Sequence, residues 1–159
     1  MKTICRIVAI LMVVCLFSSC WWENHIIYKG YQATPVEGWE AQNVLNFTID
    51  SVRWAGRYSV VLGLRTTNAY PFQSLWLTVR QQWHNPDTTF VDTLKCTIVD
   101  EMGNQRGRGI SVKQNKYKVC ELPLMQGQEG TLTVTHIMRR SILEGVSDVG
   151  ISIEQKFPK

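Results

Sequence analysis

From residue 43 onward, hydrophobic positions recur every second residue in short runs separated by turn residues, with β-branched and aromatic side chains concentrated inside the runs. Eight strands are predicted, over 44–50, 58–65, 75–83, 89–99, 107–112, 117–122, 131–139 and 149–155. In the second, Tyr58, Val60, Leu62 and Leu64 alternate with Ser59, Val61, Gly63 and Arg65; in the last, Val149, Ile151 and Ile153 alternate with Gly150, Ser152 and Glu154. Such one-sided strands pair antiparallel and bury one face. Asp100-Glu101-Met102-Gly103-Asn104 has hairpin chemistry, because Gly103 and Asn104 accept positive φ, and His84-Asn85-Pro86-Asp87 is a second turn. A single flat sheet would leave its apolar face in water, so the expected fold is all-β, an antiparallel β-sandwich, jelly-roll-like or immunoglobulin-like. The stretch 23–38 has no sustained period and contains Pro35; it reads as a tether leading into an edge strand. Gly145 and Gly150 are expected at positive-φ or close-approach positions around Asp148.

The N-terminus has a different grammar. Lys2 and Arg6 precede an unbroken apolar run from Ile7 to Phe17, then Ser18-Ser19 and Cys20. This is the layout of a secretory signal with a lipidation cysteine, and Leu16-Phe17-Ser18-Ser19-Cys20 resembles a bacterial lipobox. The run of eleven is too short for a permanent membrane helix, which takes roughly 20 residues. Expected divisions are therefore residues 1–19 as a removed signal peptide, 20–42 as a lipidated tether and edge segment, and 43–159 as the sandwich. Several acyl chains on Cys20, at about 0.8 kcal/mol per buried CH₂, would fasten the mature protein stably to a membrane. Trp21 and Trp22 suit the headgroup region, which accommodates both an apolar ring and an N–H donor. Trp21 is not the Asp that retains enteric lipoproteins at the inner membrane, so the outer membrane is the expected destination by analogy.

Composition narrows the function classes. Loss of Lys2 and Arg6 leaves fifteen basic residues against thirteen acidic ones. That near-balance, with basic residues gathered only around Arg106, Arg108, Lys113, Lys116 and Lys118, lacks the stripe of a nucleic-acid binder. Cys5 and Cys15 leave with the signal and Cys20 is acylated, so Cys96 and Cys120 are the remaining thiols. A bridge between them would suit an exported protein and contribute about 3 kcal/mol. Equally, Cys96 runs in phase with Leu94 and Ile98, as a small core filler would.

Catalytic and ligand signatures are sparse. His25, His84 and His136 lie far apart and outside metal-ligand spacings, and neither a nucleophile elbow nor a phosphate loop is present, so no catalytic residue, metal, cofactor or small-molecule substrate is expected. Trp39, Trp54, Trp76 and Trp83 are the residues from which a glycan platform could be built, although Trp76 and Trp83 fall on opposite faces of their strand.

Three segments carry a family resemblance: Leu64-Arg65-Thr66-Thr67-Asn68-Ala69-Tyr70-Pro71-Phe72-Gln73-Ser74-Leu75; Asp92-Thr93-Leu94 followed by Asp100, Gly103, Gly107 and Gly109; and Met138-Arg139-Arg140 followed by Leu143-Glu144-Gly145-Val146-Ser147-Asp148-Val149-Gly150-Ile151. With Gly38-Trp39 upstream and the lipobox in front, the chain resembles the gliding-motility lipoprotein GldH family of Bacteroidetes from about Tyr28 to Lys156. The resemblance implies a non-catalytic envelope lipoprotein that serves gliding motility or type IX secretion by contacts with other envelope proteins. A glycan-binding envelope lipoprotein is the alternative. Arg65, Asn68, Tyr70 and Pro71 form a candidate partner-contact corner, which also makes sense as a rigid strand-to-strand turn held by Arg65 and Asn68. Asp50-Ser51-Val52, Asp87-Thr88-Thr89 and Asp92-Thr93-Leu94 fit the short O-glycosylation pattern of that phylum, making Ser51, Thr88 and Thr93 candidate acceptors.

Overall fold

The computed structural model describes residues 26–156. Ten strands run in the order β1 (Ile26–Ala33), β2 (Trp39–Glu40), β3 (Leu45–Ile49), β4 (Gly56–Thr67), β5 (Ser74–His84), β6 (Thr88–Thr97), β7 (Val112–Leu124), β8 (Glu129–His136), β9 (Ile142–Leu143) and β10 (Val146–Lys156). The eight long strands form two four-stranded antiparallel sheets, β1-β10-β4-β7 and β3-β8-β5-β6, and β2 pairs with β9 as a two-stranded clip. Of the two expected sandwich orders, this alternation of strands between sheets is that of a jelly roll.

The alternation seen in the sequence is what packs the layers together. Tyr58, Val60, Leu62 and Leu64 from β4 and Val149, Ile151 and Ile153 from β10 face Leu75, Leu77, Val79 and Trp83 from β5 and Leu132 and Val134 from β8. Each such side chain removed from water stabilises the fold by roughly 1.5–3 kcal/mol. The inward side of β1 is less apolar: Tyr28 meets Phe47 edge-on at 6.3 Å, and Gln32 donates its side-chain amide to the carbonyl of Asn46. A strand whose buried side reads Tyr, Gly, Gln shows no hydrophobic period, so residues 26–33 carry no strand signal and yet pair along β10.

Three further differences have physical reasons. The expected strand at 107–112 is a loop, because Gly107 and Gly109 take φ of 105° and 126° and Ile110 is 91 % exposed. β7 begins at Val112 rather than 117, its first half being a polar edge held to β4 by backbone pairing. Of the two roles open to the cysteines, the possible disulfide is not formed: both are free thiols. Cys96 is buried on β6, where burial pushes its thiol up to about 12, and Cys120 is half-buried on β7, its sulfur accepting a hydrogen bond from Gln81 Nε2 at 3.1 Å.

Candidate partner-contact site

Strand pairing gives the sandwich two ends. At one, β1, β4, β6, β7 and β10 meet the connections that precede or follow them at residues 34–38, 68–73, 98–111 and 144–145. The candidate corner lies here, between β4 and β5. Tyr70 is 5 % exposed; its hydroxyl donates to the carbonyl of Ser74 at 3.0 Å, its amide donates to the carbonyl of Thr67 at 3.2 Å, and its ring meets Phe72 edge-on at 5.8 Å. Thr67 in turn donates its amide to the carbonyl of Gly145 at 2.8 Å, tying the corner to the β9–β10 turn. Gly145 sits at φ 80° directly under the Tyr70 backbone, where a Cβ would collide with the amide nitrogen, so this position needs glycine for both conformation and space.

The corner is not held by the residues first expected to hold it. Arg65 turns away from the turn: its guanidinium lies over the Tyr31 ring at 4.2 Å and pairs with Asp148 at 4.0 Å. Tyr31 lies across Gly150, where a Cβ would meet the ring at 2.6 Å, so Gly150 is the close-approach position that its sequence context suggested. Asn68 and Pro71 stand exposed at the tip. Buried Tyr70 is therefore the support, and its exposed neighbours are the surface.

Beside the corner lies a cleft of about 590 Å³ lined by Thr34, Pro35, Val36, Thr67, Ala69 and Gly145, among others. Thr34 fixes its far wall, donating its amide to the carbonyl of Ser147 at 3.0 Å and its hydroxyl to the carbonyl of Val146 at 2.5 Å. Val36 projects from the rim, 96 % exposed. Thr34 to Val36 escaped the sequence reading, since only the pairing of β1 with β10 brings them beside Gly145. On the other side of the same end, Asp100 organises the β6–β7 connection: its carboxylate accepts the amides of Asn104 at 2.8 Å and Met102 at 2.9 Å. Those bonds hold its carboxyl below the usual range, the backbone bond from Asn104 first among them. Gly103, at φ 85°, completes the turn.

The remaining candidate residues are dispersed. Ser51 is exposed in the β3–β4 connection, Thr88 at the start of β6, and Thr93 on the outer face of β6 opposite Thr78. Cys20 lies outside the described residues, as do Trp21, Trp22 and His25. Among the described tryptophans, Trp39 and Trp83 are buried, whereas Trp54 and Trp76 are exposed on different parts of the molecule and share no plane-forming strand. His84 pairs with Asp87 at 3.0 Å, and His136 is buried with Nε2 at 3.1 Å from the carbonyl of Trp39. No helix of the described residues is long and apolar enough to cross a membrane.

The family model described as GldH lipoprotein matches residues 26–153. The chain is 27 % identical over 155 residues to the gliding motility lipoprotein GldH of Flavobacterium johnsoniae, covering 92 % of this chain and 94 % of that protein. Among solved structures, the C-terminal domain of A223, a structural protein from Sulfolobus turreted icosahedral virus, is similar over 85 % of this chain and all of its own, with 16 % identity and a TM-score of 0.36. A family GH115 4-O-methyl-α-glucuronidase is similar over 85 % of this chain and 18 % of its own, with 14 % identity and a TM-score of 0.43. At those scores the structural likeness bears on neither ligand nor function. The family match spans both sheets and the corner between β4 and β5: the chain belongs to the GldH lipoprotein family, a group of lipid-anchored cell-envelope proteins associated with gliding motility.

Proposed function

We propose that this lipoprotein is a non-catalytic accessory component of the gliding or type IX secretion machinery, anchored through Cys20 in the outer membrane and working by protein contacts at the end that carries the Asn68–Pro71 tip. One observation carries the reading. Most of the segments by which the chain resembles its family, namely Gly38-Trp39, residues 64–75, 100–109 and 138–151, are far apart in sequence and reach that end, where two of them line the cleft through Thr67, Ala69 and Gly145. Rigid backbone beneath exposed, chemically unreactive side chains suits docking, because little conformational freedom is lost on contact.

Co-purification from detergent-solubilised membranes tests it. Wild-type protein is expected to retain motility or secretion components, and Val36→Asp combined with Asn68→Arg to release them with an unchanged melting temperature, since both side chains are exposed. Capture that survives the double substitution removes this end as the contact surface. Binding to polysaccharide with no protein partner would replace the reading with glycan recognition.

A further inference from the structure

The opposite end of the sandwich is where the described chain begins. Ile26, the start of β1, pairs with Glu154 near the end of β10, while β3 ends at Ile49, β4 begins at Gly56, β7 ends at Leu124 and β8 begins at Glu129. Three connections lie at this end, residues 50–55, 85–87 and 125–128, and the first and last are locked to each other. The amide of Val52 donates to the carbonyl of Gln128 and the amide of Gly127 to the carbonyl of Val52, both at 2.8 Å. Met125 donates its amide to Gln128 Oε1 at 2.8 Å, and the buried Tyr58 donates its hydroxyl to the carbonyl of Trp54 at 2.7 Å. Val52 and Gln128 are buried in this lock, yet Trp54 and Met125 are turned out, 47 % and 53 % exposed, with Ile26 close to them in exposure at 44 %.

We infer that this end is a membrane-seating surface, with Trp54 and Met125 entering the interfacial layer of the bilayer that holds the lipid anchor. The inference rests on lipidation at Cys20, and the length of the intervening chain selects the occupant. Cys20 stands six positions before Ile26, and a fully extended chain advances at most about 3.6 Å per residue, so an anchored Cys20 keeps Ile26 within roughly 22 Å of its acyl chains. An indole and a thioether presented on braced loops at the same end as Ile26 match the amphipathic residues that partition to the headgroup level, and they extend the same chemistry as Trp21 and Trp22. The contact is apolar rather than electrostatic. Arg57 pairs with Glu121 at 4.0 Å, and Arg53 and Lys156 at this end are offset by Asp50, Asp87, Glu129 and Glu154.

Brominated-lipid quenching tests this in the mature, full-length lipoprotein reconstituted in phosphatidylethanolamine and phosphatidylglycerol vesicles containing dibromo-phosphatidylcholine. Trp21→Phe and Trp22→Phe are introduced first to remove the indoles next to the anchor. Emission is expected to fall on brominated vesicles and to stay low at high salt. Trp54→Phe should abolish the fall and Met125→Glu weaken it, whereas Trp76→Phe, on the outer face of the second sheet, should leave it. A fall that survives Trp54→Phe, or co-sedimentation without any fall, overturns the seating and leaves the anchor standing. Protein that remains in the supernatant overturns anchor and seating together.

Discussion

Single residues separate positions that tolerate change from those that do not. Gly103 and Gly145 share a similar φ, 85° and 80°, but a Cβ at Gly103 would meet nothing within 4 Å while one at Gly145 would strike the Tyr70 backbone. Gly103→Ala should therefore cost only the conformational penalty of about 1–2 kcal/mol, and Gly145→Ala roughly 3–4 kcal/mol or more, read as midpoints in urea. The two glycines stood out in the sequence for the same reason; what distinguishes them is the corner packed over one and not the other. His136 makes a second prediction. Burial lowers its pKa, only partly opposed by the carbonyls of Trp39 and Ser141 that favour the charged ring. With a folded pKa below the unfolded value near 6.5, its contribution to stability is complete above about pH 6.5 and is lost as pH falls through the lowered value. Unfolding curves should show that acid-side loss in wild type and a shallower one in His136→Gln.

At the level of the element, β10 is the strand on which the first sheet depends, since it pairs with β1 on one side and β4 on the other. Ile151 is 1 % exposed at its centre, and Ile151→Ala should destabilise by about 2–5 kcal/mol. Val91, on edge strand β6 and 61 % exposed, should change by less than about 0.5 kcal/mol as Val91→Ala, and chemical denaturation of the pair checks both. The same contrast governs what could be read in advance. β4, β5, β8 and β10 were legible because their inward positions bury mostly apolar side chains, with Thr66, Gln81 and His136 the polar exceptions. β1 was not, because it meets the core through Tyr28 and a side-chain amide, nor was the two-residue clip of β2 and β9. The reverse error came at 107–112, where glycines between polar residues imitate a period but adopt positive φ. Of the corner, Tyr70 and Pro71 were visible as a turn; the redirection of Arg65 toward Tyr31 was not, since that contact joins residues thirty-four positions apart.

For the whole molecule, the arrangement of the ends determines how force passes through it. The described chain begins at the start of β1, and the Asn68 tip lies at the other end of strands such as β4, whose twelve residues span roughly 35 Å. On the proposed anchoring at Cys20 and docking at the tip, tension between bilayer and tip runs parallel to β1 and is handed to β10 across a ladder from Ile26 to Ala33, whose hydrogen bonds stand perpendicular to the pull. All rungs are then loaded in shear together instead of being unzipped one by one. Optical-tweezer measurements with handles at the N-terminal side and at Asn68→Cys should give a high, single-step rupture force. Moving the second handle to Gln155→Cys, beside the start of β1, should peel the same ladder apart at a markedly lower one. On the anchoring and docking proposed above, a small envelope protein wired in this way serves as a strain-bearing link between the bilayer and its partner.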